Sequence, residues 1–394
     1  MRARDERLAP APGVLTRDEA EDAAIEERAA GLLGNPRRLV TLGLAFVAVV
    51  VAIYVVLPNV VGLDDTFDRL GDATWYWIAV ALGFNIAAFA AYVAIFRGIL
   101  SGADDPVMER RLGFTASYQI TMAGLAATRV FSAAGAGGLV LTYWALRKAG
   151  MERRRAACRM VALLVLLYTV YLLALVIFGV LLRTGVLPGD DPVSGTIVPA
   201  GIAGVVLLVL ALVALIPQDF ERRLAEYARG YRRARFAKRM ATGPATLASG
   251  VRTAIGYMRH PSRGALAVAG AVGFWAANIG VLWASFEAFG GDVSFGVLVQ
   301  GFFVGMAANL IPSPAGGVGS VDAGMIGAFV LFGVPAASVV FPAVLTYRVI
   351  AFWLPIPPGV VAFFQLQRTV ARWKEEEGDA GYTSKSKVTA AEAT

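Results

Sequence analysis

One cysteine and one histidine occur in 394 residues, and only 16% of the residues are charged. A single thiol, Cys158, cannot build an intrachain disulfide framework, and a single imidazole, His260, excludes any site that needs two. The sequence has no Walker loop, no spaced set of metal ligands and no nucleophile with an adjacent base. These absences leave no catalytic residue, no metal and no cofactor to expect. The shortage of charge is itself informative, because soluble domains carry roughly 25%. In its place, 57% of the residues are hydrophobic and the mean hydropathy is +0.63. Runs of roughly 20 apolar residues recur, each long enough to cross a bilayer as a helix. The pattern is that of an all-α, polytopic integral membrane protein. A pI near 9.6 does not point to nucleic acid, since the basic residues gather beside the apolar runs, where they orient spans.

Residues 1–38 are polar and lack a short apolar core before a small-residue cleavage site, so they read as a cytoplasmic tail and not as a signal peptide. Arg37 and Arg38 abut a first span over 39–57, and the acidic loop after it holds Asp64, Asp65, Asp68 and Asp72. A second span over 75–96 is followed by Arg97, Arg110 and Arg111. Spans over 157–182 and 197–216 flank an external turn with Arg183, Asp190 and Asp191. Residues 217–262 form a basic amphipathic segment suited to an anionic cytoplasmic leaflet. The spans over 264–289 and 336–365 complete about six, and the charged tail at 369–394 is cytoplasmic. By the Lys/Arg bias both termini face the cytoplasm of a plasma-membrane protein.

Two apolar stretches do not fit this alternation. Residues 114–146 are broken at "TRVFSAAGAGG", and arginines place both ends inside; two helices of about 16 residues reach only about 24 Å each, short of a ~30 Å core. Residues 294–333, broken at "NLIPSPAGGVGSVDAG", begin and end outside. Each reads as a re-entrant helical hairpin, entered from opposite faces. A constant offset of 181 places Ser132 on Ser313, Ala134 on Ala315, Gly135 on Gly316 and Gly138 on Gly319. Opposed hairpins related in this way suggest an inverted repeat of the transporter type. Irregular backbone at membrane depth survives only where protein or water surrounds it, so the breaks are the expected site.

The block at 311–364 contains Pro312, Pro314, Gly316, Gly317, Gly319, Asp322, Gly333, Tyr347, Arg348, Trp353, Leu354 and Pro355. It resembles the closing block of the lysylphosphatidylglycerol synthase transmembrane, flippase-like family, and 129–151 is similar to that family's first glycine motif. The resemblance spans 39–368. It implies lipid handling, by a stand-alone member with no room for the soluble aminoacyl-transfer domain. The sequence departs from the usual pattern in lacking charge at 139–142 and in carrying Asp322 where Glu is common.

Three ionisable residues fall at or near membrane depth: Arg129, Asp322 and Arg348. Such residues usually pair or line a cavity. Two readings stay open: a structural Asp322–Arg348 ion pair, or guanidinium forks offered to a lipid phosphate. The candidate lipid-binding residues are Arg129, Ser132, Gly137, Gly138, Ser313, Gly316, Gly317, Asp322, Tyr347 and Arg348. Half-helix N-termini after Gly138 and Gly319 add anion-binding capacity, and Asn85, Gln119, Asn278, Gln300 and Asn309 are candidate polar lining. The leading expectation is a flippase-like protein that binds and translocates an amphiphilic, anionic phospho- or isoprenoid-type lipid. Its partners are then membrane lipids and, as candidates, a second copy of the chain. Two alternatives remain: a non-transporting partner that presents lipid to an envelope-synthesis enzyme, and a small-solute secondary transporter.

Overall fold

A computed structural model of the chain describes residues 73–100, 106–130, 136–215, 234–259, 261–310, 317–335 and 339–392. The expected tail and first span at 1–57, His260 and the first part of the basic segment, 217–233, lie outside the described residues. The architecture is all helical. In chain order the helices are α1 (Trp75–Leu100), α2 (Pro106–Arg111), α3 (Phe114–Val130), α4 (Ala136–Lys148), α5 (Arg153–Arg183) and α6 (Ile197–Ala214). They continue with α7 (Ala234–Arg259), α8 (Pro261–Ala288), α9 (Phe295–Met306), α10 (Ser320–Leu331), α11 (Phe341–Arg348) and α12 (Ile356–Glu392). Five stretches among the described residues are long and apolar enough to cross a bilayer: Trp75–Leu100, Arg153–Arg183, Ile197–Ala214, Gly264–Ala288 and Phe341–Glu376.

The remaining apolar helices are shorter. With 17 and 13 residues, α3 and α4 reach only about 26 Å and 20 Å at 1.5 Å per residue. With 12 residues each, α9 and α10 reach about 18 Å. Each pair runs antiparallel and crosses at glycine. A Cβ on Gly138 would collide with the Gly124 carbonyl and the Thr128 hydroxyl. In the second pair a Cβ on Gly305 would lie 2.6 Å from the Met325 Cα, and one on Gly324 2.8 Å from the Gly305 oxygen. Small residues let helix backbones approach closely where dispersion, not hydrophobic expulsion, drives association.

The longest helix–helix seam joins α1 to α8. There a Cβ on Gly98 would stand 2.8 Å from the Ala267 nitrogen, and one on Gly270 2.8 Å from the Ala91 oxygen. Each short pair leans on a long helix from elsewhere in the chain: α3 on α12, and α9 on α5. The interior where α5, α8 and α9 meet is aromatic, with Phe286, Phe302 and Phe303 fully buried. The Tyr171 hydroxyl donates to the Phe303 carbonyl at 2.6 Å, and the Trp275 indole donates to the Leu167 carbonyl at 2.8 Å. Large apolar side chains are exposed instead on outer faces, as at Val205, Leu208, Val209 and Leu212 of α6. Such an apolar exterior around an apolar interior departs from the surface of a soluble protein and suits contact with lipid.

One end of the bundle is closed by arginines that donate to helix carbonyls. Arg159 reaches the Leu100 carbonyl at 2.7 Å, Arg147 that of Met151 at 2.6 Å and Arg111 that of Ala149 at 3.3 Å. The opposite turn holds an exposed Arg183–Asp191 pair at 3.0 Å. The described part of the basic segment is the helix α7. Its last turns nevertheless bury Ala248, Val251 and Ala254 and pack along α5, so that part belongs to the bundle and does not simply lie on the membrane surface.

Candidate functional site

The final span, expected as one helix over 336–365, is broken in its middle. After α11 the backbone widens into a π turn, Val349–Trp353, and Pro355 follows. The Leu354 amide bonds five residues back, to the Val349 carbonyl at 2.9 Å. Pro355 has no N–H, so it cannot return a bond to Ile350 or Ala351. Two carbonyls are thereby released inside the bundle, and both find side chains from other helices. Asn85 of α1 donates to the Ile350 oxygen at 3.0 Å, and the Nη2 of Arg129, from α3, donates to the Ala351 oxygen at 2.9 Å. Insertions of this kind are frequent at functional positions.

Arg348, the last residue of α11, directly precedes the π turn and is 5% exposed. Its Nε meets the Asp322 Oδ1 at 2.6 Å, as a charge contact more than an aligned hydrogen bond. Its Nη2 donates to the Gly317 carbonyl at 3.2 Å. Gly317 and Gly319 hold φ of +93° and +84°, a region where a Cβ is strained, so the turn before α10 requires glycine at both. Asp322 also accepts from the Gly319 amide at 2.9 Å through Oδ2. It therefore caps the helix that it begins, as an acid at the N3 position does.

Phe352, from the π turn, joins the two arginines. Its ring centroid lies 4.3 Å from the guanidinium carbon of Arg348 and 5.2 Å from that of Arg129, both within cation–π range. Tyr347 is buried against Phe302, ring to ring at 5.9 Å, and lies within electrostatic reach of Arg348, Arg129 and Asp322. The cluster thus holds two guanidinium groups and one carboxylate. The Nη1 of Arg129 is buried and makes no hydrogen bond among the described residues.

Of the residues singled out from sequence, the structure brings Arg129, Gly317, Asp322, Tyr347 and Arg348 into one cluster. Ser132, Ser313 and Gly316 lie outside the described residues. Gly137 and Gly138 fall in the first turn of α4, which starts at Ala136 and not after Gly138. Gly138 is occupied in the crossing with α3. The expected dipole site at α10 is likewise taken, by the chain's own Asp322. Most of the proposed polar lining makes bonds between or within helices: Asn85 as above, Gln119 from Thr369 at 2.9 Å, Gln300 to the Gly195 carbonyl at 3.0 Å, and Asn278 to its own helix. Asn309 is exposed. The sequence reading missed Phe352 and Arg159. Pro355 signalled the break, but nothing in one dimension says which side chains fill the released carbonyls.

Fold and site together define a polytopic helical membrane protein with a buried, unevenly charged cluster at a broken span. The family model described as "Lysylphosphatidylglycerol synthase TM region" matches residues 38–359, and the chain belongs to that family. It is also 31% identical over 122 residues to a "UPF0104 membrane protein" of Methanothermobacter thermautotrophicus, a match covering 29% of this chain and 35% of the relative. The chain thus spans about a third of the length of that curated relative. No solved structure matches.

Proposed function

We propose that this protein is a flippase-like carrier of a plasma membrane with both termini cytoplasmic, which binds the headgroup of an anionic lipid at the Arg129–Arg348 cluster and passes it between leaflets. The observation that carries the reading is the uneven charge. Arg348 is matched by Asp322, whereas Arg129 has a buried, unbonded Nη1 and no acid beside it among the described residues. The adjacent segments 131–135 and 311–316 contain no charged residue. An arginine left so inside a bundle is matched by an oxyanion, for which the guanidinium is suited.

The reading takes α3–α4 and α9–α10 as re-entrant hairpins that enter from opposite faces. It is supported by their short lengths and by an extension of the internal correspondence. The spacing of 181 that relates Gly138 to Gly319 also relates Phe114 to Phe295, the first residues of α3 and α9. It relates Gln119 to Gln300, each bonded across the bundle, and Gly124 to Gly305, each at a crossing. Two halves inserted with opposite sense are the usual frame for alternating access around a fixed site.

The test is reconstitution into vesicles carrying a headgroup-labelled anionic lipid, with accessibility to an external quencher as readout. Wild-type protein is expected to speed loss of the protected half. Arg129→Gln should slow it by about 10- to 150-fold, the worth of a charged hydrogen bond of ~1.5–3 kcal/mol. Equal rates in protein-free and protein-containing vesicles would dispose of the proposal.

A further inference from the structure

We infer that the cluster is built for a headgroup with a single net negative charge, moved without a coupled ion, so that net transfer is electrogenic and follows the membrane potential. This rests on the carrier reading above. The charge in the cluster comes from two arginines and one aspartate, and their surroundings contribute no other ionised group among the described residues. Facing Asp322 from α11 are Arg348 and the neutral phenol of Tyr347; the α9 helix and the turn Ala307–Leu310 that follows it carry no ionisable side chain. Asp322 is the sole acid of α10, and the π turn has none. On the α3 side the contribution is Arg129. Of the other described acids, Glu109, Glu152, Asp190, Asp292, Glu375 and Glu376 are exposed, while Asp191 pairs with Arg183 and Glu287 accepts from the Trp283 indole.

Asp322 is tied by both oxygens, one to Arg348 and one to the Gly319 amide. It therefore belongs to the fold as a fixed counter-charge and is not left over to shuttle a proton. The empty site then holds one positive charge in excess, and one bound negative charge brings it to neutrality. A second negative charge would be buried uncompensated, which is strongly unfavourable. Because the loaded site is neutral, the potential acts mainly on return of the empty one. Exchange of lipid between two loaded leaflets should ignore voltage, while net transfer should obey it. An inside-negative potential of about 100 mV would then bias a monoanionic lipid outward by about 50-fold at equilibrium.

The experiment uses vesicles reconstituted with the full chain and potassium gradients, clamped by valinomycin at either sign of potential, with internal and external pH equal. The probe is headgroup-labelled phosphatidylglycerol; labelled phosphatidylcholine and, at alkaline pH, dianionic phosphatidic acid are the comparisons. Expected are net transfer of the monoanion that reverses with the sign of the potential, voltage-independent exchange, and slow movement of the dianion. Asp322→Asn should shift preference toward the dianion and make monoanion exchange voltage-dependent. Asp322→Glu, which keeps the charge, should restore wild-type behaviour. Uptake of radiolabelled methyl phosphate, the soluble counterpart, should stay at the protein-free level.

Transfer that ignores potential but follows an imposed pH gradient would overturn the inference and leave the carrier reading in place. Equal handling of the monoanion and the dianion by wild type would do the same, and potential-driven uptake of methyl phosphate would replace the lipid by a soluble anion. No transfer of any lipid in either clamp would remove the carrier reading itself.

Discussion

Arg348 and Asp322 form a pair whose partners are 6% and 14% exposed at the side chain. A buried pair of this sort contributes little net stability as a pair, because desolvation offsets most of the attraction, but losing one partner strands the other. Arg348→Ala should therefore destabilise the protein by about 3–5 kcal/mol, seen as a lower midpoint of thermal unfolding in detergent. The double replacement Asp322→Asn with Arg348→Gln should recover much of that loss while leaving lipid transfer impaired. Failure of the double variant to recover would mean that the Gly317 and Gly319 contacts, and not the charge match, hold α10 in place. The charges at 129, 322 and 348 were legible in the sequence because ionisable residues stand out in an apolar background. The Asp322–Arg348 pair was among the readings the sequence left open. That it forms, and that Arg129 is left beside it without an acid, was decided by packing, since 322 and 348 lie 26 positions apart and 129 lies 193 or more from either.

At the level of elements, the short helical pairs depend on glycine where their axes cross. Gly305→Leu should overpack the α9–α10 crossing and cost about 1–3 kcal/mol, whereas Gly201→Ala or Gly204→Ala on the outer face of α6, where nothing lies within 4 Å, should leave the midpoint unchanged. Comparable loss at both places would show that the crossing is not the constraint. The breaks between α3 and α4 and between α9 and α10 could be read directly from proline and glycine, since those residues act through the local backbone. The π turn could not be located this way. Pro355 only removes a donor; the path that the helix takes around it depends on whether Asn85 and Arg129 arrive to satisfy Ile350 and Ala351.

For the whole molecule, the arrangement of arginines predicts sidedness. Single cysteines at Gly113 and Lys148, in a Cys158→Ser background, should react with a membrane-impermeant maleimide from one side, and one at Val186 from the other. Labelling of Gly113 and Lys148 from opposite sides would turn α3–α4 into a spanning element and undo the opposed hairpins on which the carrier reading stands. The wide apolar exterior has the same origin as the low charge content of the chain: a solvent that cannot hydrogen-bond rewards apolar side chains on the outside and confines polar ones to partners within.

Composition and spacing alone determined the membrane class, five of the expected spans and the two breaks, because hydrocarbon thickness and the backbone limits of glycine and proline act over short lengths of chain. Tertiary structure alone decided that Asp322 serves both Arg348 and its own helix start, that Arg129 braces a carbonyl released on another helix, and that Phe352 lies between the two cations. Those outcomes hang on long-range packing and on satisfying every buried donor and acceptor at once, and no local pattern encodes that sum.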